Sequence, residues 1–411
     1  MDRTILLSDC DSFFASVEIM LDPSLKGRPV AVAGDPKNRH GVVVARNIEA
    51  KRFGVRTTDT VSAAKRKCPD IILVPPHHKI YEEVSEKVNH IYLEYTELVE
   101  PYSIDESYLD VTKLTSRTGG DIADELRRRV KNEIGITVSV GVSFNKCFAK
   151  LACEINKPDG TTYIPRDKVT EMVYPLPVSR LLYVGESTCK ELDRLGIKTI
   201  GDLASADEKA IFSRLGKHGR VILKYAKGLD DELVHSYYEP RETKSVGNGL
   251  TFKRDIVGER EIHTGVASLT ESVAATLRGK GLKCNTVQVT IKSPNLSTIQ
   301  RQTRLSEPTY LMKDIVEAAM SVIKKNWDMS SPIRALTVTC SDFVPEDYVA
   351  QQISIFDDVD GLKSHEKQEK IEKAISTIRQ KYGKEAISYG YLENKDIGIT
   401  NTSDERLEEK K

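Results

Sequence analysis

Over residues 1–165, short apolar runs typical of strands alternate with segments in which hydrophobic positions follow the helical period. This pattern predicts strands and helices in turn. Residues 4–9 form an unbroken apolar run, as in buried strands, and the helical period occupies 80–95 and 119–134. We expect an antiparallel sheet with helices on one face. The remaining predicted elements are strands at 28–34, 41–45 (a hairpin pair), 71–75 and 137–143, and helices at 47–54, 63–70 and 145–155.

The stretch YSIDESYLD, residues 102–110, carries two adjacent acids, Asp105 and Glu106, between two apolar half-strands. A solvated turn would carry such a pair at one end, beside Gly, Asn or Pro. Here Ile104 precedes the acids and Tyr108 follows closely, so we expect them near a buried sheet. Buried carboxylates need a cationic partner, which Mg²⁺ would supply. The pair alone fits a polar strand edge equally well.

A third acid, Asp9, ends the predicted strand 4–9, and a helix begins directly after it. An acid at the carboxyl end of a central strand is well placed to meet an acid on a neighbouring strand. Asp9, Asp105 and Glu106 would together hold two metal ions roughly 3.5–4 Å apart, as polymerases do for phosphoryl transfer.

Three segments resemble, in sequence and order, the signature segments of the Y-family translesion DNA polymerases, with the bacterial polymerase IV branch as the nearest match. These segments are LLSDCDSFFASVE, SIDESYLD and VSVGVSFNKCFAKLACEINKPDG. The resemblance covers roughly residues 1–345 and implies an α+β, multidomain right-hand fold. The implied parts are a ferredoxin-like palm (1–10 and 77–166), small fingers (11–76), a helical thumb with a helix-hairpin-helix (167–235), a linker (236–244) and an α+β little finger (245–345).

The resemblance implies an error-prone, template-directed polymerase that adds dNTPs to a primer 3′ end with two Mg²⁺ ions. Asp9, Asp105 and Glu106 would be catalytic and would bind the metals, together with the backbone carbonyl of Cys10. Phe14 would be the steric gate, because a ring against the sugar leaves no volume for a 2′-hydroxyl. We expect its neighbour Phe13 in the core and also count it with the nucleotide-binding residues.

Lys51 and Lys157 would contact the triphosphate. The family usually has Tyr at the place of Ile48 and Arg at the place of Lys51, so this chain departs from the pattern twice. Lysine keeps the charge but lacks the bidentate fork of arginine. We expect Asp11, between the metal ligands and the gate, to cap the following helix.

Two glycine turns in residues 167–235 are candidates for binding DNA phosphates through backbone N–H groups. The first is Gly185, in a helix-hairpin-helix pattern that continues to 195–203, although Tyr183 stands where the family usually has another glycine. The second is the turn LGKHG, with Gly216, Lys217 and Gly219 as its DNA-binding residues.

Residues 241–345 carry 15 Lys and Arg against 10 Asp and Glu, whereas 346–411 carry 11 against 15. A basic module suggests contact with a polyanion, here primer-template DNA. A generic interaction domain would also fit this pattern. Its predicted strands are 245–256, 285–294, 297–305 and 333–343, and its predicted helices are 260–280 and 308–326.

The tail, 346–411, contains the sequence QQISIF, in which Gln352, Ile355 and Phe356 resemble the peptide that bacterial polymerases insert into the sliding clamp (β subunit). One polar anchor followed by two apolar side chains suits a pocket. We expect one helix, 365–387, in the remainder.

The whole chain has 61 basic and 61 acidic residues, so its net charge identifies no partner. Its seven cysteines form no CxxC pair, which is typical of a reducing compartment. No signal peptide or membrane span is recognisable, and we expect a cytoplasmic monomer.

Two alternatives stay open on the sequence. One is a polymerase V-type catalytic subunit that needs accessory proteins, which the length of the tail after the clamp peptide allows. The other is a catalytically silent DNA-binding scaffold, against which the three intact acids argue.

Overall fold

The structure, a computed structural model, describes residues 2–34, 41–240, 242–347, 359–383, 386–387 and 396–399. The chain separates into two compact units. The first contains residues 1–36 and 41–240, and the second contains residues 37–40 and 241–411.

The first unit alternates strands and helices before a helical end. In chain order its elements are β1 (Ile5–Cys10), α1 (Phe13–Leu21), β2 (Val30–Ala33), β3 (Val43–Arg46), α2 (Ile48–Arg52), α3 (Val61–Lys67), β4 (Ile72–Val74), α4 (His78–Leu93), β5 (Val99–Pro101), β6 (Glu106–Asp110), α5 (Gly119–Glu133), β7 (Val138–Ser143), α6 (Lys146–Cys153), β8 (Thr161–Ile164), α7 (Val169–Met172), α8 (Glu186–Asp193), α9 (Ile200–Ser205) and α10 (Glu208–Ala226).

The main sheet of this unit has the strand order β5-β6-β1-β7-β8. β1 is central and antiparallel to both β6 and β7, as expected. The edge strand β8 is parallel to β7, so the expectation of a purely antiparallel sheet is wrong. The chain makes this parallel return through α6, because parallel neighbours need a crossover connection.

Helices cover both faces of this sheet, which corrects the expectation of helices on one face only. Leu6 and Cys10 pack into a core shared with α1, α4 and α5, whereas Ile5 and Leu7 face Ala149 of α6. A strand buried on both faces reads as a continuous apolar run, which is what residues 4–9 are.

Glycine at position 141 lets α6 approach the sheet closely. A Cβ atom there would lie 2.0 Å from the carbonyl oxygen of Ala149, so no other residue fits without moving the helix. This contact fixes the height of α6 above β7.

A small three-stranded sheet has the order β3-β2-β4, with β2 and β3 antiparallel as predicted and β4 parallel to β2. Buried Asn47 joins helix α2 to this sheet. Its Oδ1 accepts hydrogen bonds from the amides of Ala50 and Val30, and its Nδ2 donates to the carbonyl of Arg28.

The helices α7 to α10 pack around their own apolar core, to which α6 also contributes Phe148 and Leu151. Because α6 packs both in this core and against the main sheet, it joins the helical end of the first unit directly to the sheet.

The second unit is a four-stranded antiparallel sheet of order β11-β10-β12-β9 with two helices packed against it. Its elements are β9 (Ser245–Ile256), α11 (Glu259–Gly279), β10 (Leu282–Lys292), β11 (Thr298–Thr309), α12 (Met312–Asn326), β12 (Ile333–Pro345) and α13 (Val359–Tyr382).

Helix α13 begins six residues before the predicted start and ends five before the predicted end. It docks on the rest of the second unit through Glu372, which is 2% exposed and pairs with Arg278. The other Glu372 oxygen accepts from the backbone N of Met312, at the start of α12. Ile397 and Ile399 are also buried in this unit's core.

Seven cysteines have free thiols. Within the described ranges, no helix combines the length and the apolar character that crossing a bilayer requires.

Candidate active site

A tight hairpin between β5 and β6 presents the two adjacent acids. The backbone N of Tyr102 and that of Ser103 both donate to the carbonyl of Glu106, which closes the turn. Asp105 is the last residue of this turn and Glu106 the first of β6. The sequence interpretation argued against a solvated turn and placed the acids near a buried sheet; a turn does carry them, but it leads directly into β6, whose next three residues are buried. The turn forms without Gly or Asn because the Ser103 hydroxyl accepts from the amides of Asp105 and Glu106.

Asp9 lies directly opposite Glu106 in the register of β1 and β6. The backbone N of Cys10 donates to the carbonyl of Asp105 at 2.9 Å, which holds the end of β1 against the hairpin. Asp9 is 7% exposed and Glu106 is half-buried. Two acids that are nearly a hundred positions apart in the chain therefore meet side by side, because antiparallel partners on one face are neighbours.

Each of these two acids has its own lysine. Lys157 Nζ lies 2.6 Å from Asp9 Oδ2 and 2.7 Å from Glu154 Oε1. Lys150 Nζ, on α6, lies 2.5 Å from Glu106 Oε1 and 5.3 Å from the centre of the Tyr102 ring.

The two carboxyl groups have opposite pKa shifts. Burial raises the pKa of Asp9, and a hydrogen bond with Glu106 raises it further, against the opposing effect of Lys157. Burial would also raise the pKa of Glu106, but the hydrogen bond with Asp9 and the Lys150 ammonium outweigh it and lower this pKa. The two side chains are therefore not equivalent: burial disfavours the charged form of Asp9, whereas Lys150 stabilises the charged form of Glu106.

This arrangement fits a divalent cation, because two packed carboxylates repel unless positive charge is added. The carboxylate of the third acid, Asp105, accepts a hydrogen bond from Ser103 Oγ at 2.6 Å. Among the described residues, no three His, Cys, Asp or Glu side chains already form a metal-binding group. The side chain of Cys10 is buried in the core, and burial raises the pKa of its thiol.

The two phenylalanines of α1 have different surroundings. Phe13 is 3% exposed and packs in the core, as expected, with little surface left for a nucleotide. Phe14 is half-buried, and its ring stacks on Tyr81 of α4 with centroids 4.2 Å apart and planes 15° apart. The Tyr81 hydroxyl in turn donates to the buried carboxylate of Glu18. The Phe14 ring therefore has a fixed support.

Helix α2 carries the remaining predicted triphosphate contact. Lys51 and Ile48 are both exposed on this short helix. Arg46, at the end of β3, donates from Nε to the carbonyl of Val55 at 2.7 Å. The structure therefore leaves Lys51 accessible, and it joins Arg46 to the segment that follows α2.

Asp11 does not cap α1. The N-cap residue is Ser12, in the left-handed region with φ 50°, and it makes no side-chain capping bond. The Asp11 carboxylate is 8% exposed and instead accepts hydrogen bonds from Thr137, Ser139 and the Asp159 amide. The capping prediction failed because partners from the distant elements compete for this carboxylate.

The two predicted phosphate-binding glycine turns lie in the helical end. Gly185 is exposed and is the N-cap residue of α8. Gly216, with φ 57°, is a single non-helical residue that breaks α10 in two, so the expected five-residue turn is only a kink. Lys217 follows this break, and Gly219 is buried against Ile211.

The predicted clamp-binding residues Gln352, Ile355 and Phe356 lie outside the described residues. Sequence reasoning missed Lys150 and the supporting ring of Tyr81. Lys150 had a visible signal, because it is a cation seven positions before Lys157 in a helix that is otherwise largely apolar.

Comparisons with known proteins give a consistent relationship. The model of the impB/mucB/samB family matches residues 8–154, and that of the C-terminal domain of this family matches residues 243–355. The chain is 40% identical over 394 residues to a protein named DNA polymerase IV from Acetivibrio thermocellus, covering 95% of this chain and 98% of that protein.

Two further comparisons agree. DNA polymerase IV 1 of Bacillus subtilis is 36% identical over 417 residues, covering 100% of this chain and 99% of that protein. A solved structure of a chimeric Y-family DNA polymerase superposes with a TM-score of 0.74 at 24% identity, covering 83% of this chain and 99% of the other. The chain therefore belongs to the Y family of DNA polymerases and is a DNA-directed DNA polymerase of the polymerase IV type.

Proposed function

We propose that this chain extends a primer on damaged templates by metal-assisted phosphoryl transfer at the site formed by Asp9, Asp105 and Glu106. The observation that carries the proposal is the pairing of Asp9 with Glu106 across β1 and β6. The raised pKa of Asp9 beside a second carboxylate supports a site that binds a metal cation.

The three carboxylates and the Cys10 carbonyl would hold two Mg²⁺ ions, which when bound lower the pKa of the primer 3′-hydroxyl and neutralise the departing pyrophosphate. Asp105 would complete the set by exchanging its hydrogen bond from Ser103 for a metal. Lys157, next to Asp9, and exposed Lys51 would bind the triphosphate oxygens of the incoming dNTP.

Phe14 would contact the sugar and exclude ribonucleotides. Its stacking on Tyr81 supports this role, because a ring packed against another ring cannot shift to make room for a 2′-hydroxyl. Residues 11–76 would form small fingers that offer little surface for testing the shape of a base pair. We therefore expect error-prone synthesis.

The remaining regions would hold DNA. Residues 1–10 and 77–166 would be the palm, 167–235 the thumb and 245–345 the little finger, joined by a linker at 236–244. Gly185, Gly216, Lys217 and Gly219 would contact phosphates, and Gln352, Ile355 and Phe356 would bind the sliding clamp. The enzyme would act as a monomer on DNA.

The test is extension of a primed template by the purified chain alone, with each dNTP offered separately and Mg²⁺ varied. We expect template-matched addition that requires Mg²⁺, on undamaged and on lesion-containing templates. Extension only in the presence of accessory proteins would favour a polymerase V-type subunit. DNA binding without any extension would favour the silent scaffold.

A further inference from the structure

The buried carboxylate of Asp11 joins three separate parts of the first unit. Its Oδ1 accepts from Ser139 Oγ at 2.7 Å, and its Oδ2 accepts from Thr137 Oγ1 at 2.9 Å and from the Asp159 backbone N at 2.8 Å. Its own backbone N donates to the carbonyl of Thr137. Asp11 therefore ties the end of β1 to the start of β7 and to the turn 157–160.

That turn carries Lys157. Asp159 has φ 52°, a conformation that a non-glycine residue adopts only when its surroundings support it. Gly160 follows with no space for a side chain, since a Cβ atom would lie 2.0 Å from the Asn156 carbonyl oxygen. The Asp11 carboxylate is the acceptor for the amide of the left-handed residue, so it stabilises this conformation directly.

A second set of contacts holds the same residue, Asp159, from α5. The Asp159 side chain pairs with Arg127 at 2.8 Å and with Lys131 at 2.8 Å, both on α5. Arg127 Nη2 also donates to the Asp159 carbonyl, so these cations hold the side chain and the carbonyl of Asp159, whereas Asp11 holds its backbone N–H. Asp11 and α5 thus hold different groups of one residue, which lies two positions after Lys157.

We propose that Asp11 is a positioning residue for Lys157: through the Asp159 amide it sets where the Lys157 ammonium lies beside Asp9. This inference rests on the proposed function, in which Lys157 binds the triphosphate. Asp11 touches neither substrate nor metal in this assignment. Its effect reaches the nucleotide only through the turn.

The prediction is a loss of dNTP affinity without a loss of DNA affinity. Asp11→Ala should weaken dNTP binding, measured on a complex with a dideoxy-terminated primer, by about tenfold, with a matching rise in KM and a smaller change in kcat. Asp11→Asn should retain most of the affinity, because its amide oxygen still accepts from the Asp159 N–H.

A double-mutant cycle with Lys157→Ala separates positioning from general loosening. In that background Asp11→Ala should change dNTP affinity by less than about twofold, since the group on which it acts is gone. Thr137→Val is the matched control: it removes one hydrogen bond to Asp11 but leaves the Asp159 amide paired, so dNTP affinity should stay within about twofold of the parent.

Equal losses from Asp11→Ala in both backgrounds, an Asp11→Asn loss as large as that of Asp11→Ala, or an equal loss in Thr137→Val would overturn the inference. If Asp11→Ala does not fold, Asp11→Ser takes its place, since its side chain is one bond too short to put an oxygen where Asp11 Oδ2 accepts from the Asp159 amide. A parent enzyme that extends primers while Lys157→Ala leaves dNTP affinity unchanged would instead overturn the role given to Lys157.

Discussion

The Nζ atom of Lys150 lies 2.5 Å from Oε1 of Glu106, so a helix on one face of the main sheet supplies the counter-charge for an acid at the end of a strand. Lys157 makes the corresponding contact with Asp9 from the turn after α6. Both lysines come from one short stretch of the chain, whereas the two acids come from two different strands. The charge balance of the site therefore depends on the packing of α6 against the sheet.

Removing the counter-charge should strengthen cation binding. Lys150→Ala deletes a positive charge next to Glu106, and like charges repel, so we expect the half-saturating Mg²⁺ concentration for primer extension to fall by roughly threefold. Lys168→Ala, at an exposed pair with Glu171, is the control and should leave this value unchanged. An unchanged or higher Mg²⁺ requirement in Lys150→Ala would contradict the expectation.

Removing an acid should abolish catalysis and leave DNA binding. Asp105→Ala and Glu106→Ala each take away a carboxylate that would hold the metal ions, so extension should fall at least about a thousandfold. Primer-template affinity, measured by fluorescence anisotropy, should stay close to that of the parent chain. Retained extension in either variant would remove the metal assignment.

The stacking of Phe14 on Tyr81 allows the sugar gate to be tested by comparing two variants, Phe14→Ala and Tyr81→Phe. Phe14→Ala should raise ribonucleotide incorporation relative to deoxynucleotide incorporation by roughly a hundredfold, because the volume for a 2′-hydroxyl becomes available. Tyr81→Phe keeps the ring under Phe14 and removes only the hydroxyl bonded to Glu18, so it should retain the discrimination. Unchanged sugar selectivity in Phe14→Ala would overturn the gate.

The buried pair of Glu372 and Arg278 should hold α13 on the second unit. Glu372→Ala leaves Arg278 buried without its carboxylate, which lowers the free energy of unfolding of this unit by about 3 kcal/mol. Trp327, the single tryptophan, packs against the core of this unit, so its fluorescence in a urea titration reports on this unit. The double variant Arg278→Met with Glu372→Leu should recover most of the loss, and no loss in Glu372→Ala would contradict the assignment.

The clamp peptide is testable by function alone. Replacing Gln352, Ile355 and Phe356 with Ala should lower clamp-stimulated extension on a circular template by about tenfold, because the apolar anchors of such peptides carry most of the binding energy. Extension without the clamp should not change. Gln351→Ala, the adjacent substitution, should leave stimulation intact; equal loss there would argue against this register.

Hydrophobic periodicity predicted strands and helices correctly where the pattern lay within one continuous segment. The apolar run 4–9 became β1, and the helical period at 119–134 became α5 within one residue at each end. The parallel pairing of β8 with β7 and the burial of both sheet faces were not predicted, because pairing partners and layers depend on distant parts of the chain.

The sequence by itself predicted most of the strands and helices of the sheets, and it identified Asp9, Asp105 and Glu106 as candidate catalytic acids, because periodicity and residue chemistry are local properties. Only the tertiary structure decided which groups meet: Asp9 beside Glu106, and Asp11 with Thr137, 126 positions away in the chain. A buried carboxylate accepts hydrogen bonds from the donors that surround it, and the tertiary fold determines which N–H and O–H groups those are.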